Sequence, residues 1–382
     1  MSVIQVPVGP QHPALKEPER FILHVEGENV VKVDVKIGYA HRGIEKSFGR
    51  KMYIPGVFVA ERICGICSAA HAVAYSLVVE KVAEVEPPER AKAIRTIAFE
   101  LNRIQSHLLW LGILAHELGF DTLFMLTWRD RELVLSLIER LFGNRVTYGV
   151  VVPGGVRRDI SDAAAKETVK VCEKMIERAR EYLDLCLSEK TIVMRTENIG
   201  ILKPYQSVAL CAVGPVARGS AVRFDVREDE PYDALEWLDF QMVVEDGCDT
   251  LSRTLVRVKE TEVSAQIVKE LAKKLPAGPI KIRLPMKLPE GEAVSRVEAP
   301  RGELFYYAVS KGGDKPYRMK VRTPTLANIP ALCEMLKGCH IADVPVILAS
   351  IDPCFACMDR VEVVDSSGRR RDLEEMLRRR GV

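Results

Sequence analysis

No segment of this chain approaches the ~20 consecutive apolar residues that a membrane-spanning helix needs. The richest stretch, Leu108 to Leu118, is short and carries His116 and Glu117. The first residues, Met1 to Pro10, lack the charged start and apolar core of a secretion signal. Charge of one sign is not in excess either. With 55 Lys and Arg against 53 Asp and Glu, the formal net charge is +2, which gives no reason to expect nucleic acid as a partner. Internal repeats and low-complexity linkers are also missing. These absences predict a cytoplasmic chain without a span of its own, attached to any membrane only through partner subunits.

What the chain has is bulk and sulfur. Its 382 residues are 47% hydrophobic, enough to bury a sizeable core. Ten cysteines without a secretion signal read as thiols or metal ligands rather than disulfides. Six of them, Cys172, Cys186, Cys211, Cys248, Cys333 and Cys339, match no metal spacing and are expected to be small core residues. The other four form two C-x-x-C pairs, in Glu61-Arg-Ile-Cys-Gly-Ile-Cys67 and Asp352-Pro-Cys-Phe-Ala-Cys357. Such a pair brings two sulfurs near enough to share one metal. Gly65 permits a tight turn, and Pro353 stiffens the approach to Cys354. Thiolates are soft ligands suited to zinc, iron–sulfur clusters and related metals, so spacing alone does not choose among them. A structural zinc site usually keeps about 15–20 residues between its pairs; here almost the whole chain lies between them.

The pattern predicts a mainly α fold with a small β component: a long-helix bundle with N- and C-terminal strands. Phe21–Val25 and Val30–Ile37 flank the turn Gly27-Glu-Asn29 as a hairpin. From Glu89 to Leu118, apolar residues recur at three- and four-residue steps, with Pro87 and Pro88 before them and Gly119 after. Asp121–Phe142 reads as a second helix, a stripe from Val169 to Cys186 marks a third, and Ala234–Leu275 supplies one or two more. Strands return at Glu303–Val309 and Arg318–Arg322, joined by a turn at Lys311–Lys315. We expect a single catalytic domain, with N-terminal strands and loops over 1–50, a helical core over 51–290, and C-terminal strands with the second cysteine motif over 291–360. A basic tail follows over 361–382. A small sheet drawn from both ends of the chain would bring the cysteine pairs together. In the tail, Arg369–Arg371 and Arg378–Arg380 admit two readings, a solvated helix face or a contact with acidic lipid or an acidic partner.

At its two cysteine motifs the sequence resembles the NiFe hydrogenase large subunits. Arg62-Ile-Cys-Gly-Ile-Cys67 followed by His71 matches the family's first motif, and Asp352-Pro-Cys-Phe-Ala-Cys357 its last. The likeness extends through Phe142-Gly-Asn-Arg145, Gly214-Pro-Val-Ala-Arg-Gly219 and Glu298-Ala-Pro-Arg-Gly302. Gly9-Pro-Gln-His-Pro-Ala-Leu15 and His41-Arg-Gly-Ile-Glu-Lys46 point to the energy-converting branch, which includes Ech-type and CO-linked hydrogenases. These two segments are shared with the quinone-site subunit of respiratory complex I, which lacks the four cysteines.

The resemblance implies a NiFe large-subunit-like fold and the reaction 2H⁺ + 2e⁻ ⇌ H₂ at a nickel–iron centre whose iron carries carbon monoxide and cyanide. It implies that Cys67 and Cys357 bridge the metals while Cys64 and Cys354 bind nickel alone. Arg301 matches the family's arginine above the metals, and a guanidinium holds its charge without titrating. Asp352 is expected to orient Arg301 or the Cys354 backbone, or else to cap a turn. His71 and Pro300 are expected beside the centre, His71 hydrogen-bonded to a cysteine sulfur. Glu17 is the candidate proton gate, with Glu61 as the rival relay. His12 and His41 are expected along a proton path or interface.

This chain has no further cysteine cluster, so iron–sulfur clusters are expected only in partners: a small subunit and a ferredoxin-like electron-transfer subunit. The branch implies an ion-pumping membrane arm and a peripheral position on the cytoplasmic side of the cell membrane. Many members carry His where this chain has Arg360 and lose the segment after it. Here Val361 to Val382 follow, so either this member needs no cleavage, or this is the unprocessed form, or the metal centre is absent from it. Two other readings stay open, a complex I-like or sulfur-reducing subunit with an altered or vestigial centre, and a scaffold held by structural zinc.

Overall fold

A computed structural model of the chain describes residues 2–358, together with 363, 364, 367 and 369–371. The chain opens with three antiparallel strands, β1 (Ile4–Val8), β2 (Arg20–Glu26) and β3 (Asn29–Lys36), ordered β1-β2-β3. Alternation in β2 turns Phe21, Leu23 and Val25 inward. A register shift at His24/Val25 marks a bulge in its pairing with β3. Short helices α1 (Ile44–Phe48) and α2 (Tyr53–Glu61) lead to α3 (Ser68–Ala83), which is buried along almost its whole length. Its small residues, Ala69, Ala70, Ala72 and Ala74, let it pack closely against neighbouring strands.

The bundle is built on α4 (Glu89–Glu117), which packs on α5 (Asp121–Phe142) and on α11 (Thr250–Lys273), while α11 packs on α6 (Asp162–Ser188). The caps follow the sequence: Ser161 accepts from the Ala164 amide at the start of α6, and Asp249 accepts from the Ser252 amide at the start of α11. Between these lie the two-residue strands β4 (Val151–Val152) and β5 (Gly155–Val156) and the short helices α7 (Lys190–Thr196), α8 (Pro204–Ala209), α9 (Pro215–Arg218) and α10 (Val226–Asp229).

A second antiparallel sheet, β6 (Leu288–Ala299), β7 (Gly302–Gly313) and β8 (Arg318–Arg322), rests on α3. It is followed by α12 (Pro324–Met335), α13 (Val344–Ser350), and the two-residue strands β9 (Val363–Val364) and β10 (Arg370–Arg371). Two apolar clusters result. One joins the long helices to β6–β8 and includes all four motif cysteines; the other packs β1–β3 on α12 and α13.

The mainly helical architecture and the helices over 89–117, 121–142 and 162–188 agree with the sequence pattern. Several details differ. The N- and C-terminal strands form two separate three-stranded sheets, joined to no common ladder among the described residues. An isolated bridge, Asn29 with His340, links the first sheet to the chain near α13. β7 runs on to Gly313, so the turn falls later than Lys311, and its long partner β6 was not foreseen. Glycine and charge at Pro289-Glu-Gly-Glu292 masked β6, because its outer half is exposed. Residues 324–335 and 344–350 are helical within a segment expected to hold strands. Only Cys172 and Cys186 of the six other cysteines are core residues; Cys211 is exposed and the remaining three are part-buried. Arg370 and Arg371 lie in a strand, not on a helix. Arg360 and Arg378–Arg380 lie outside the described residues. Among the described residues no helix is long and apolar enough to cross a membrane.

Candidate metal centre

The two cysteine pairs converge. Cys64 Sγ lies 3.3 Å from Cys354 Sγ, Cys67 Sγ 3.8 Å from Cys357 Sγ, and Cys354 Sγ 3.1 Å from Cys357 Sγ. First faces first and second faces second, and all four residues are at most 5% exposed. Each pair is set by a helix junction. Cys64 lies in the loop after α2, and Cys67 stands at the N-cap of α3. Cys354 and Cys357 flank a single 3-10 turn after α13. The Ile66 and Cys67 amides both donate to Cys64 Sγ at 3.3 Å. Hydrogen bonds from Cys354, Cys357 and Cys67 hold the Cys64 thiol well below its ordinary range, whereas hydrogen bonding to Cys354 and Cys64 pushes Cys357 well above it.

The loops are fastened from outside. Arg42 donates to the carbonyls of Arg62 (2.9 Å), Ile63 (2.7 Å) and Ala356 (2.7 Å), so one guanidinium spans both cysteine loops. Asn102 and Gln105 on α4 each donate to the Ile66 carbonyl at 2.8 Å. Trp110 donates to the Ala349 carbonyl at 2.7 Å and ties α13 to the same helix. The Cys354 amide donates to Thr325 Oγ1 at 3.1 Å.

Arg301 and Pro300 form the two-residue tip between β6 and β7, and both are buried. Arg301 donates from Nε to the Asp352 carbonyl at 2.8 Å, from Nη2 to Asp352 Oδ1 at 2.7 Å, and from Nη1 to Ser106 Oγ at 3.3 Å. Burial opposes its charge, but Asp352 and the sulfurs of Cys354, Cys67 and Cys64 outweigh burial and keep it protonated. Asp352 holds φ 54°, a left-handed conformation that Asp tolerates better than most residues. Two glycines make the tip possible. A Cβ on Gly214 would stand 2.3 Å from Gly302 Cα, and one on Gly302 would stand 2.7 Å from Gly214 N, both at positive φ.

His71 Nδ1 meets the Tyr306 hydroxyl at 2.8 Å, and its Nε2 lies 3.8 Å from Cys357 Sγ. Burial pushes His71 down to about 4, so the ring is neutral. Glu17 Oε2 accepts from the Ala356 amide at 2.7 Å between Cys354 and Cys357, and burial raises its carboxyl. Glu61 Oε1 accepts from the Gly149 amide at 2.9 Å, while its Oε2 is buried without a hydrogen bond and lies 3.8 Å from Arg62 Nη1; burial pushes Glu61 up to about 7. His12 is exposed and His41 half-buried.

The sequence reading missed three groups here. Tyr306 is one, visible in sequence only as an aromatic in a strand. The others are Arg42 and a fully buried ion network. In that network Arg218 pairs with Glu260 (2.7 Å) and Glu298 (2.8 Å), and Arg227 with Asp225 (2.8 Å) and Glu100 (3.3 Å). Arg218 and Glu298 belong to the two motifs whose glycines touch, so the network clamps the Arg301 tip in place.

Among the described residues, two groups have metal-ligand atoms all within 4.8 Å of one another: Cys64 with Cys354 and Cys357, and Cys67 with His71 and Cys357. They share Cys357. Four soft sulfurs facing one another in a dry interior, with a fixed cation beside them to offset thiolate charge, fit a thiophilic metal centre.

Comparison with known proteins agrees with this geometry. The family model for the 49-kDa subunit of respiratory-chain NADH dehydrogenase matches residues 117–287 and 283–360, and that for nickel-dependent hydrogenase matches residues 42–120. The chain is 39% identical over 361 residues to the carbon monoxide-induced hydrogenase of Rhodospirillum rubrum, covering 94% of this chain and 100% of that protein. It is 39% identical over 377 residues to the membrane-bound hydrogenase subunit alpha of Pyrococcus furiosus, covering 94% and 88%. A chain in the solved structure of the membrane-bound sulfane sulfur reductase, an archaeal respiratory membrane complex, superposes with a TM-score of 0.89 at 34% identity, covering 94% of this chain and 98% of that one.

Proposed function

The chain belongs to the family that joins the large subunits of nickel-dependent hydrogenases to the 49-kDa subunit of respiratory NADH dehydrogenase, and within it we propose that this protein is the catalytic subunit of a membrane-associated NiFe hydrogenase. The observation that carries the reading is the meeting of four buried sulfurs drawn from opposite ends of the chain. Cys64, Cys67, Cys354 and Cys357 would hold the metals. When bound, a nickel–iron centre supplies the redox chemistry that interconverts H₂ with two protons and two electrons. The iron would carry carbon monoxide and cyanide.

The chain's own residues supply the rest. The Arg301 guanidinium holds a fixed positive charge over the sulfurs, and Asp352 aims it. Neutral His71, anchored by Tyr306, steadies the Cys357 sulfur through Nε2. Glu17 reaches the loop between Cys354 and Cys357 and is placed to hand protons from a terminal thiol toward solvent. Glu61 is the second carboxyl at hand, poised by burial near neutral pH. Electrons would leave through an iron–sulfur small subunit and a ferredoxin-like subunit, and a membrane arm with ion-pumping subunits would hold the complex at the cytoplasmic face.

A sulfur-reducing role is the second reading, favoured by the close superposition on the sulfane sulfur reductase chain. Elemental analysis of the purified complex, infrared spectroscopy for iron-bound carbon monoxide and cyanide, and a hydrogen-uptake assay separate the two. Nickel and iron in equal amounts with hydrogen uptake are expected. A complex lacking nickel and inert to hydrogen would overturn the proposal.

A further inference from the structure

We propose that the cleft between the end of α3, the start of α4, residues 230–236 and β6 binds a small alkylammonium ion, with its cationic head on Asp233. The cleft lies at the far end of α3 from Cys67, about 24 Å along that 16-residue helix. The proposal therefore stands whether or not the chain is a hydrogenase.

Asp233 is 4% exposed, yet neither of its carboxylate oxygens makes a hydrogen bond. Buried carboxylates are ordinarily satisfied by several donors. Arg95 Nη1 stands 3.5 Å away, but that guanidinium is committed elsewhere. It forks onto Glu80 at 3.0 and 2.5 Å and donates to the carbonyls of Gly155 at 3.1 Å and Val152 at 2.7 Å. The Gly154 amide adds another donor to Glu80 at 2.6 Å. Two buried carboxylates thus share one guanidinium, and the shortfall falls on Asp233. Burial pushes the Asp233 carboxyl up to about 6, which Arg95 only partly offsets. The Ala234 amide donates to Thr96 Oγ1 at 3.2 Å and fastens the turn that carries Asp233 to α4.

The space beside Asp233 suits an alkyl chain with a charged head. The cleft holds about 410 Å³, within the range of about 300–1,000 Å³ usual for small-molecule sites. Leu77, Val85, Pro87 and Pro231 give it apolar walls. Its basic side chains face other acceptors. Arg296 meets Glu230 Oε2 at 2.8 Å through Nε and at 2.5 Å through Nη2. Lys81 donates to the Val294 carbonyl at 3.0 Å, and Lys92 Nζ lies 3.7 Å from Glu86 Oε2. Glu84 and Glu236 line the same cleft at exposed positions, where their charge draws cations inward.

Other ligand classes fit less well. Carboxylates outnumber basic groups around the cleft, so an anion is repelled. A hard divalent cation needs about six oxygen ligands. Among the described residues, no carboxylate of this cleft belongs to a group of three ligand atoms within 4.8 Å of one another. An ammonium needs only acceptors for its N–H groups, and Asp233 offers two free oxygens.

Isothermal titration calorimetry of the assembled complex with cadaverine, a linear alkyldiamine, tests the site. Cadaverine should bind saturably, and the uncharged diol of the same length should not. Asp233→Asn keeps the shape but not the charge, and should weaken cadaverine at least about tenfold. Glu236→Lys changes an exposed position that folding does not depend on, and should weaken it about threefold or more. Both variants are compared with wild type by circular dichroism. No saturable cadaverine binding, equal binding of the diol, or wild-type affinity in a folded Asp233→Asn would overturn the proposal. So would a structure of the complex with a partner's side chain seated on Asp233. Should Asp233→Asn fail to fold, unchanged affinity in Glu236→Lys would overturn it instead.

Discussion

Arg301 grips Asp352 twice, through the backbone carbonyl at 2.8 Å and through the carboxylate at 2.7 Å, and so locks a hairpin tip to the residue two places before a candidate metal ligand. A lysine has one compact ammonium and cannot reproduce that fork. Arg301→Lys should lower hydrogen turnover by roughly two orders of magnitude with nickel and iron content unchanged. Turnover near the wild-type rate would remove Arg301 from the reaction. Asp352→Asn tests the aim of the guanidinium separately, because it keeps the shape and the carbonyl contact.

Cys357 is common to both groups of metal-ligand atoms. A serine hydroxyl is a harder donor than a thiolate and far less acidic. Cys357→Ser should lose most of its nickel and iron and all hydrogen chemistry while keeping its helical circular dichroism. Full metal content with intact activity would show that Cys357 is not a metal ligand.

Arg42 holds three carbonyls from both cysteine loops. Removing it strands those acceptors, at a cost of about 1–3 kcal/mol for each one that water does not reach. Arg42→Ala should unfold at lower denaturant concentration and release metal faster to a chelator. Unchanged release would mean that the loops hold their shape without it.

Glu61 links pH to stability. Its carboxyl titrates at about 7 in the folded chain against 4.5 for the ordinary group. Between these values the folded state binds the extra proton, so this contribution is complete below pH 4.5 and is lost as pH rises toward 7. The swing is on the order of 3 kcal/mol. Glu61→Gln should abolish it, so the stability of the variant relative to wild type should rise between pH 5 and pH 8. Parallel denaturation curves at the two pH values would show that Glu61 titrates normally.

Glu260 is the carboxylate between Arg218 and His107. A buried ion pair is weak evidence for stability, but breaking one leaves a lone charge. Glu260→Ala should cost about 3–5 kcal/mol in urea unfolding. A cost below about 1 kcal/mol, the range of exposed pairs, would mean that water reaches the network.

The long helices were legible because their apolar stripes repeat locally, and a 3.6-residue period needs no knowledge of the rest of the chain. The cysteine pairs stood out because their chemistry is carried by residue type and short spacing, whereas Arg301, Asp352 and His71 stood out only through the motifs shared with the NiFe hydrogenase large subunits. β6 was hidden because its exposed half carries Pro289, Glu290, Gly291 and Glu292, and only pairing with β7 makes it a strand. Arg42, Tyr306 and Glu260 gave no local sign either, since an arginine that caps three carbonyls reads the same as one in solvent.

The sequence by itself determined which atoms are available to a metal: four thiols in two pairs, with a histidine four positions after one of them and an aspartate two positions before the other. Tertiary structure alone decided that the pairs meet, that Arg301 stands over them, and that Asp233 lies buried in the wall of a cleft. The reason is that ligand type is a property of single residues. Convergence across some 290 positions instead depends on where α4, α11 and the β6–β7 hairpin come to rest when they bury their apolar faces together.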